Sequence, residues 1–523
     1  MFRANIGHAQ DDLFSPIHQL PAEKQNKLRA SKHWCFYELI FCQIDETLFA
    51  CLYSDKGSRP NASINTMVAS LILKHQFGWT FEELFEHIDF DLLTRAALGL
   101  RTFETTPFAP STLFDFQRRL FEHQLLTGEN LFETVFDRLT SAQLADLKLK
   151  TSIQRMDSVM LASNIRDYSR LQLLIEVLLR LHRVLSDADK AVVKELLSPY
   201  LTQSASKYLY RLDRDTLPDE LNKLGSIYHT LHEHCQVTYA DMEIFAIFQR
   251  VYTEHFTIAG NTITVIAGSE LSGKILQSPD DPEATYRKKR GGSSTGFVLN
   301  AVETAHPDNP VNLLVDVTVK PNTTDDSVVL KGRLEALIRK TPDLDELHTD
   351  GGYASKDNDQ ALNAAGIAQI QTAVRGHTRA VEFTMTPTDD ATYQVACPFQ
   401  TAMSQPTPTR LKACFDLTIC AGCVHASVCP AQECKACRTF YFTPADAVRH
   451  ARYRRIATLP VERRTIRSNV EATIREFVNR LDRHTVSVRG QFKTALFALS
   501  RAMAINFGRI FRYQCLTAKE ACG

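Results

Sequence analysis

Between about residue 261 and residue 374 the chain alternates strand-like runs with helical ones. That alternation restricts the fold more than any other feature. The runs NTITVIAG, GFVLNAVETA and VNLLVDVTV are rich in β-branched and apolar residues, and Gly291, Gly292, Ser293 and Ser294 mark a turn before the second. A helical period then carries Val329, Leu330, Leu334, Leu337 and Ile338. The short run ELHTD ends at Asp350. Gly351 and Gly352 turn the chain into a further helix at about 355–365, and IAQIQTAV follows as a strand. Upstream, residues 147–161 (LKLKTSIQRMDSVML) read as a strand with Asp157 near its end. Strands that alternate with helices predict an α/β core.

The core pattern is interrupted twice. Residues 171–257 have helical periods, as in LQLLIEVLLRLHRVL and KAVVKELL, with Ser186 and Asp187 placed as caps between them. Residues 397–437 hold seven of the thirteen cysteines. The chain closes with two predicted helices, at about 465–482 and 490–511. At 523 residues it is too long for one ordinary core. Hydrophobic residues make up 44% and charged residues 23%, the proportions of a globular protein and not a disordered one. No apolar run reaches the roughly 18 residues of a membrane span, and the start, MFRANIGHAQDD, has no signal-peptide core. A cytoplasmic protein with no membrane partner is the expectation, and in a reducing compartment clustered cysteines point to metal before disulfides.

Net charge is zero, with 60 basic and 60 acidic residues, which argues against a generally basic nucleic-acid coat protein. The distribution is uneven. Between 438 and 512 arginines and lysines crowd the chain, Arg467, Arg475 and Arg489 among them, and the acids are only Asp446, Glu462, Glu471, Glu476 and Asp482. A phosphate backbone fits such a segment, although a solvated face has the same composition. Near the start, Ile64, Met67, Val68, Leu71 and Ile72 recur at helical spacing, Gly78 breaks the helix, and Thr80 caps a second one. Helix, glycine turn, helix is the outline of a helix-turn-helix, and also of many bundles. A third helix, after Pro110, carries Arg118 and Arg119.

Three carboxylates could share metal. Asp157 and Asp350 stand at strand ends, where a sheet presents side chains to a cleft. Glu471 borders the apolar stripe of Ile466, Val470, Ile474, Phe477 and Leu481. Such a set can bind two Mg²⁺ or Mn²⁺ ions. Each also has an ordinary reading: an aspartate before Gly-Gly caps a turn, and Glu471 between Arg467 and Arg475 makes an i,i+4 ladder. Asp316, Asp325 and Asp326 are rivals for the second position, Asp325 and Asp326 as helix caps by preference. Glu476 is a rival for the third, on a different helix face.

The order and wording of these segments resemble the DDE transposases of bacterial insertion sequences, which have an RNase H-like catalytic core. QRMDSVMLASNIRDYSR resembles the family's first-aspartate segment, LHTDGGY its second, and RSNVEATIREFVNRL followed by VRGQFKTALFALSRAMAINFGRI its glutamate segment. Residues 61–120 resemble the family's helical N-terminal domain, and SPDDPEATYRKKRGGSSTGFVLNAVET the stretch before its second core strand. The resemblance covers about 60–130, 150–170, 277–375 and 460–510. It implies Asp157, Asp350 and Glu471 as catalytic metal ligands. Arg464 and Val478 depart from the tyrosine and lysine of some related families.

The implied domains are a helical N-terminal DNA-binding domain at 1–140 and an RNase H-like α/β core at 147–170 and 258–396. A helical insertion lies at 171–257, a cysteine-rich zinc insertion at 397–440, and the C-terminal helical part of the core at 441–523. The implied partner is double-stranded DNA, both element ends and target, engaged by a homodimer or larger assembly at the nucleoid. Arg118, Arg119, Arg467, Arg475 and Arg489 are the candidate DNA contacts. Spacing alone leaves the zinc ligands open among the seven cysteines. The relatives' pattern of a lone upstream Cys-Pro and a later C-x₂-C-x₅-C favours Cys397, Cys420, Cys423 and Cys429, with Cys434 and Cys437 as alternatives. The histidines His229, His232 and His234 with Cys235 read as surface and core residues of a helix. A metal nuclease that cuts without joining, or an inactive DNA-binding derivative, are the competing readings; retention of all three carboxylates argues against the second.

Overall fold

The computed structural model describes residues 1–9, 15–54, 56–57, 59–103, 106–202, 204–260, 262–289, 292–371, 381–388 and 392–522, without the side chains of 214, 455 and 520–522. Gly291 of the expected turn and 372–374 of the expected last strand lie outside them. At the centre is a six-stranded sheet. Its first strand, β1 (Ile153–Ala162), follows a turn in which Lys148 takes a positive φ. The expected strand start at 147 therefore falls in that turn. After the helical insertion and its hairpin, β2 (Phe256–Ala259) and β3 (Thr262–Val265), come β4 (Thr285–Lys289), β5 (Gly292–Thr304) and β6 (Leu314–Pro321). The short β7 (Glu346–Thr349) and β8 (Ala368–Gln371) complete the set.

The long β5 pairs antiparallel with β1 and β6, while β7 lies parallel to β1 and β8 parallel to β7. Reading across, the strands run β6, β5, β1, β7, β8, with β4 also on β5. The β4–β5–β6 part is a meander of short connections. The parallel part needs helical crossovers, supplied by Asp326–Lys340 and Lys356–Ala364. At Gly296 φ is 151°, and a Cβ there would stand 2.3 Å from the Leu161 carbonyl oxygen. Only glycine lets β5 come this close to the end of β1.

Side chains alternate across β1 and β5, and each face has its own core. Met156 and Val302 join Leu330, Leu334, Leu337, Leu347 and Tyr353 beneath Asp326–Lys340. The other face is larger. There Leu161, Phe297, Leu299 and Ala301 join the C-terminal helix Gln491–Cys522 and the N-terminal helices in a single apolar cluster. The N-terminal segment therefore shares its core with the sheet. Ile64–Phe77 is buried on every side from Ile64 to Lys74, as expected of a helix apolar all round. Gly78 closes it in the left-handed conformation, and Thr80 caps Phe81–Phe90 through a reciprocal box with Glu83. The helix after Ala109 is Pro110–Thr127.

Two regions extend from this core. Five α-helices between Arg170 and His255, with Leu174, Tyr228 and Phe248 buried, form the first. The β2–β3 hairpin packs on them through Ile263 and, among the described residues, pairs with no core strand, so the strand of NTITVIAG, whose Asn261 lies outside the described residues, belongs to the insertion and not to the core. The second is an antiparallel sheet of β9 (Thr384–Pro387), β10 (Tyr393–Ala396), β11 (Thr401–Pro406), β12 (Leu411–Phe415), β13 (Gln432–Glu433) and β14 (Arg438–Phe442). β9 and β10 pair here. The cysteine-rich unit thus begins before 397, inside the stretch expected to be core. Phe383, Phe415 and Phe440 form its own small core. No helix among the described residues is long and apolar enough to cross a membrane.

Candidate active site

The parallel register of β1 and β7 sets the geometry. Gln154 is level with Leu347 and Arg155 with His348. Continued by two residues, the same offset brings Asp350 level with Asp157. Arg155 and Asp157 face the C-terminal helices. Asp350 caps the short turn Gly351–Tyr353, its Oδ1 accepting from the Gly352 N–H at 2.7 Å. The helix Val470–Val478 packs over β1 on that face. One turn before it, Arg467 reaches down and donates to Asp157 Oδ2 at 2.8 Å. Asp157 Oδ1 accepts from the Ser158 N–H at 2.8 Å.

Burial pushes the Asp157 carboxyl above the usual carboxylate range. The charge of Asp350 adds to the rise, while Arg467 and the Ser158 N–H oppose it. The charge of Asp350 thus adds to the cost of ionising Asp157, a cost that a cation would relieve. A third carboxylate reaches the same end from the opposite face. Burial, followed by the charge of Asp350, pushes Asp326 up as well, with the nearby Ser158 opposing it. Its Oδ1 is buried with no hydrogen-bond partner among the described residues. Gly352 lies between the two carboxylates: a Cβ there would be 3.0 Å from Asp326 Oδ2 and from Asp350 Oδ1. Sequence reading assigned Asp326 to capping, because an aspartate opening a helix gives no sign that its side chain turns inward.

Glu471 is exposed in the first turn of its helix, four residues beyond the arginine that holds Asp157. Its rivals have other partners. Glu476 accepts from Arg509 Nη2 at 2.7 Å and from Arg512, and Asp316 is buried between Arg333 and Lys340. Asp325 stands exposed, 3.3 Å from Arg287. The helix is held down by a buried network that the sequence did not reveal. Glu303 on β5, fully buried, accepts from Arg155 Nε at 2.6 Å, Arg509 Nη1 at 2.7 Å and the Thr473 hydroxyl at 2.8 Å. Arg155 also donates to the Ile466 carbonyl at 3.0 Å.

The other expected contacts differ in kind. Arg475 and Arg489 are exposed; Arg489 donates to the Asn164 carbonyl at 2.7 Å and lies 3.6 Å from Asp280. Arg118 is exposed, paired with Asp115 and Glu122. Arg119 is built into the fold, donating to the Leu52 carbonyl at 3.0 Å with its guanidinium over the Tyr53 ring. His229 contacts Tyr252, His234 contacts Asp189 and Cys235 is buried.

In the second sheet Cys397, Cys420, Cys423 and Cys429 line one cavity with His425. Burial raises the Cys420 thiol, and Cys397, Cys429 and Cys423 are near enough to raise it further by charge against Arg438, which lowers it. The remaining three cysteines of the segment, Cys414, Cys434 and Cys437, gather elsewhere, around Thr439. In the side-chain positions described, no three His, Cys, Asp or Glu groups meet at metal-bonding distance.

Residues 23–119 match the family model described as a transposase domain (DUF772). The matched segment holds the buried helix Ile64–Phe77, the capped helix after it and most of Pro110–Thr127. The N-terminal part of the chain is thus of transposase-domain type. No curated protein and no solved structure matches the chain.

Proposed function

We propose that this chain is a DDE-type DNA transposase of the insertion-sequence kind. It binds the terminal inverted repeats of its element, cuts at the ends and joins them to target DNA. The observation that carries the reading is the pairing of a transposase-domain match at 23–119 with two carboxylates at one level of the sheet, Asp157 on β1 and Asp350 just past the end of the parallel β7. The strand order β6, β5, β1, β7, β8 supports an RNase H-like core.

Asp157, Asp350 and Glu471 would hold the ions, and the raised Asp157 carboxyl together with the orphaned Asp326 oxygen fits a cation beside them. Bound Mg²⁺ or Mn²⁺ supplies activation of the attacking oxygen and stabilisation of the leaving one in an in-line phosphoryl displacement. The chain's own residues do the rest. Arg467 keeps the Asp157 carboxylate oriented, and exposed Arg475 and Arg489 grip phosphates beside it. The helix Val470–Val478 is fixed through Thr473, so that Glu471 is carried on a rigid element. Hydrolysis and then attack by a 3′-hydroxyl needs no covalent protein–DNA intermediate. The N-terminal helices read the element's ends, with Arg118 as the exposed contact, in a homodimer or larger complex at the nucleoid. A structural Zn²⁺ on Cys397, Cys420, Cys423 and Cys429 would hold the second sheet's long loop, and a set of four neighbouring thiols suits that ion. Incubation with DNA carrying the element's ends and Mg²⁺ or Mn²⁺, with breaks and joints mapped, tests the reading. Cuts without joints would leave only a nuclease.

A further inference from the structure

We propose that Cys414, Cys434 and Cys437 form a second zinc site, separate from the cavity of the other four cysteines. The fold brings these three thiols together from two strands' distance. Cys414 is on β12, directly opposite Thr439 of β14 in the antiparallel register. Cys434 and Cys437 are the ends of the turn joining β13 to β14, closed by the Cys434 N–H donating to the Cys437 carbonyl at 2.9 Å. That is a C-x₂-C turn on a β-hairpin, the arrangement in which two thiolates of a zinc knuckle point to the same side.

The sulfurs already share one neighbourhood. Thr439 Oγ1 lies 3.4 Å from the Cys437 sulfur and 3.7 Å from that of Cys434, and Cys414 stands directly across the ladder from Thr439. Thiolates on one tetrahedral zinc stand about 3.8 Å apart, from bonds of about 2.3 Å. Closing the site asks for rotation of Cys434, whose exposed side chain is free to change rotamer. Lys412, two residues before Cys414 on the same strand face, places a positive charge beside the site that offsets the net negative charge of a three-thiolate zinc centre. Three protein ligands leave the fourth position to water.

The physical consequence is a clamp. The loop from Cys420 to Cys437 would be held by one ion near its start and by a second at its end. The only covalent change is exchange of three S–H protons for zinc–sulfur bonds, the protons passing to solvent.

The test is metal content of the purified full-length chain, by mass spectrometry and by release of zinc to a chromogenic chelator. Two zinc ions per chain are expected. Cys434→Ser and Cys437→Ser should each leave one, and Cys423→Ser should also leave one, the other. Circular dichroism of Cys434→Ser, an exposed position, checks that the fold persists. Cobalt substitution gives a second readout: Cys423→Ser protein should retain a thiolate-to-cobalt charge-transfer band that is lost when Cys434→Ser is added. A single zinc per chain that survives Cys434→Ser, or no zinc at all, would overturn the proposal. So would a single zinc lost on substitution in either set, since that means one shared site. DNA cleavage does not enter, so failure here and failure of the transposase reading are distinguishable.

Discussion

Replacement of Glu303 by alanine tests how the site is built. Its carboxylate has no exposure and takes hydrogen bonds from Arg155, Arg509 and Thr473 at 2.6–2.8 Å. Removing it leaves the Arg155 guanidinium, itself 8% exposed, and that of Arg509, 12% exposed, facing each other without their shared anion. Breaking a buried pair from one side costs about 3–5 kcal/mol, because the remaining charge stays desolvated. Arg509 keeps Glu476 as a second partner, which places the expected loss toward the lower end, about 3 kcal/mol. Among the described residues Arg155 has only the Ile466 carbonyl besides, so the segment leading into Val470–Val478 should loosen with it. Urea unfolding followed by tryptophan fluorescence measures the loss, since Trp34 and Trp79 both pack against the apolar cluster shared by the sheet and the N-terminal helices. Glu303→Gln, which keeps the shape and part of the bonding, should lose less. A loss below about 1 kcal/mol for Glu303→Ala, the level of an exposed ion pair, would refute the argument that this network anchors the helix.

Other perturbations follow the same logic. Asp157→Asn should stabilise the metal-free protein at neutral pH. The folded carboxyl titrates above its ordinary 3.8, so its charged form costs stability once pH rises through the folded value; below 3.8 both states are protonated and the gain should vanish in a pH series of melting temperatures. Gly296→Ala should lower the melting temperature sharply, since its Cβ meets the Leu161 carbonyl oxygen at 2.3 Å and φ is 151°. Arg475→Ala should weaken binding to all DNA sequences alike and flatten the salt dependence by about one unit of slope, read by competition binding at several salt concentrations.

The strand-helix alternation around Asp326–Lys340 and the capped turn at Gly78 and Thr80 were legible because local periodicity and caps decide them. Asp350 was legible as a strand end, but Asp157, expected near the end of its strand, stands in the middle of β1; their common level depends on the β1–β7 register, which no local signal encodes. The strand at Thr262–Val265 read correctly as a strand but was assigned to the wrong sheet, and the strands at 384–387 and 393–396 lie in a stretch expected only as part of the core. Alternation specifies a half-buried strand but not which neighbour it pairs with. Arg119 looked like a free basic residue because a helix face in sequence does not show that Leu52 and Tyr53 fold over it. Glu303, amid the apolar run of β5, escaped notice, and Asp326 read as a helix cap, because their partners lie far along the chain.

The central claim is tested most directly by strand cleavage at the element's ends in Mg²⁺ or Mn²⁺, comparing the wild type with Asp157→Ala, Asp350→Ala and Glu471→Ala. The wild type should cut at the ends and yield joined products. Each variant should lose both activities by several orders of magnitude while retaining end binding in a mobility-shift assay. Cleavage persisting in any one of the three variants would contradict the assignment of that carboxylate. Persistence in all three would contradict the site itself.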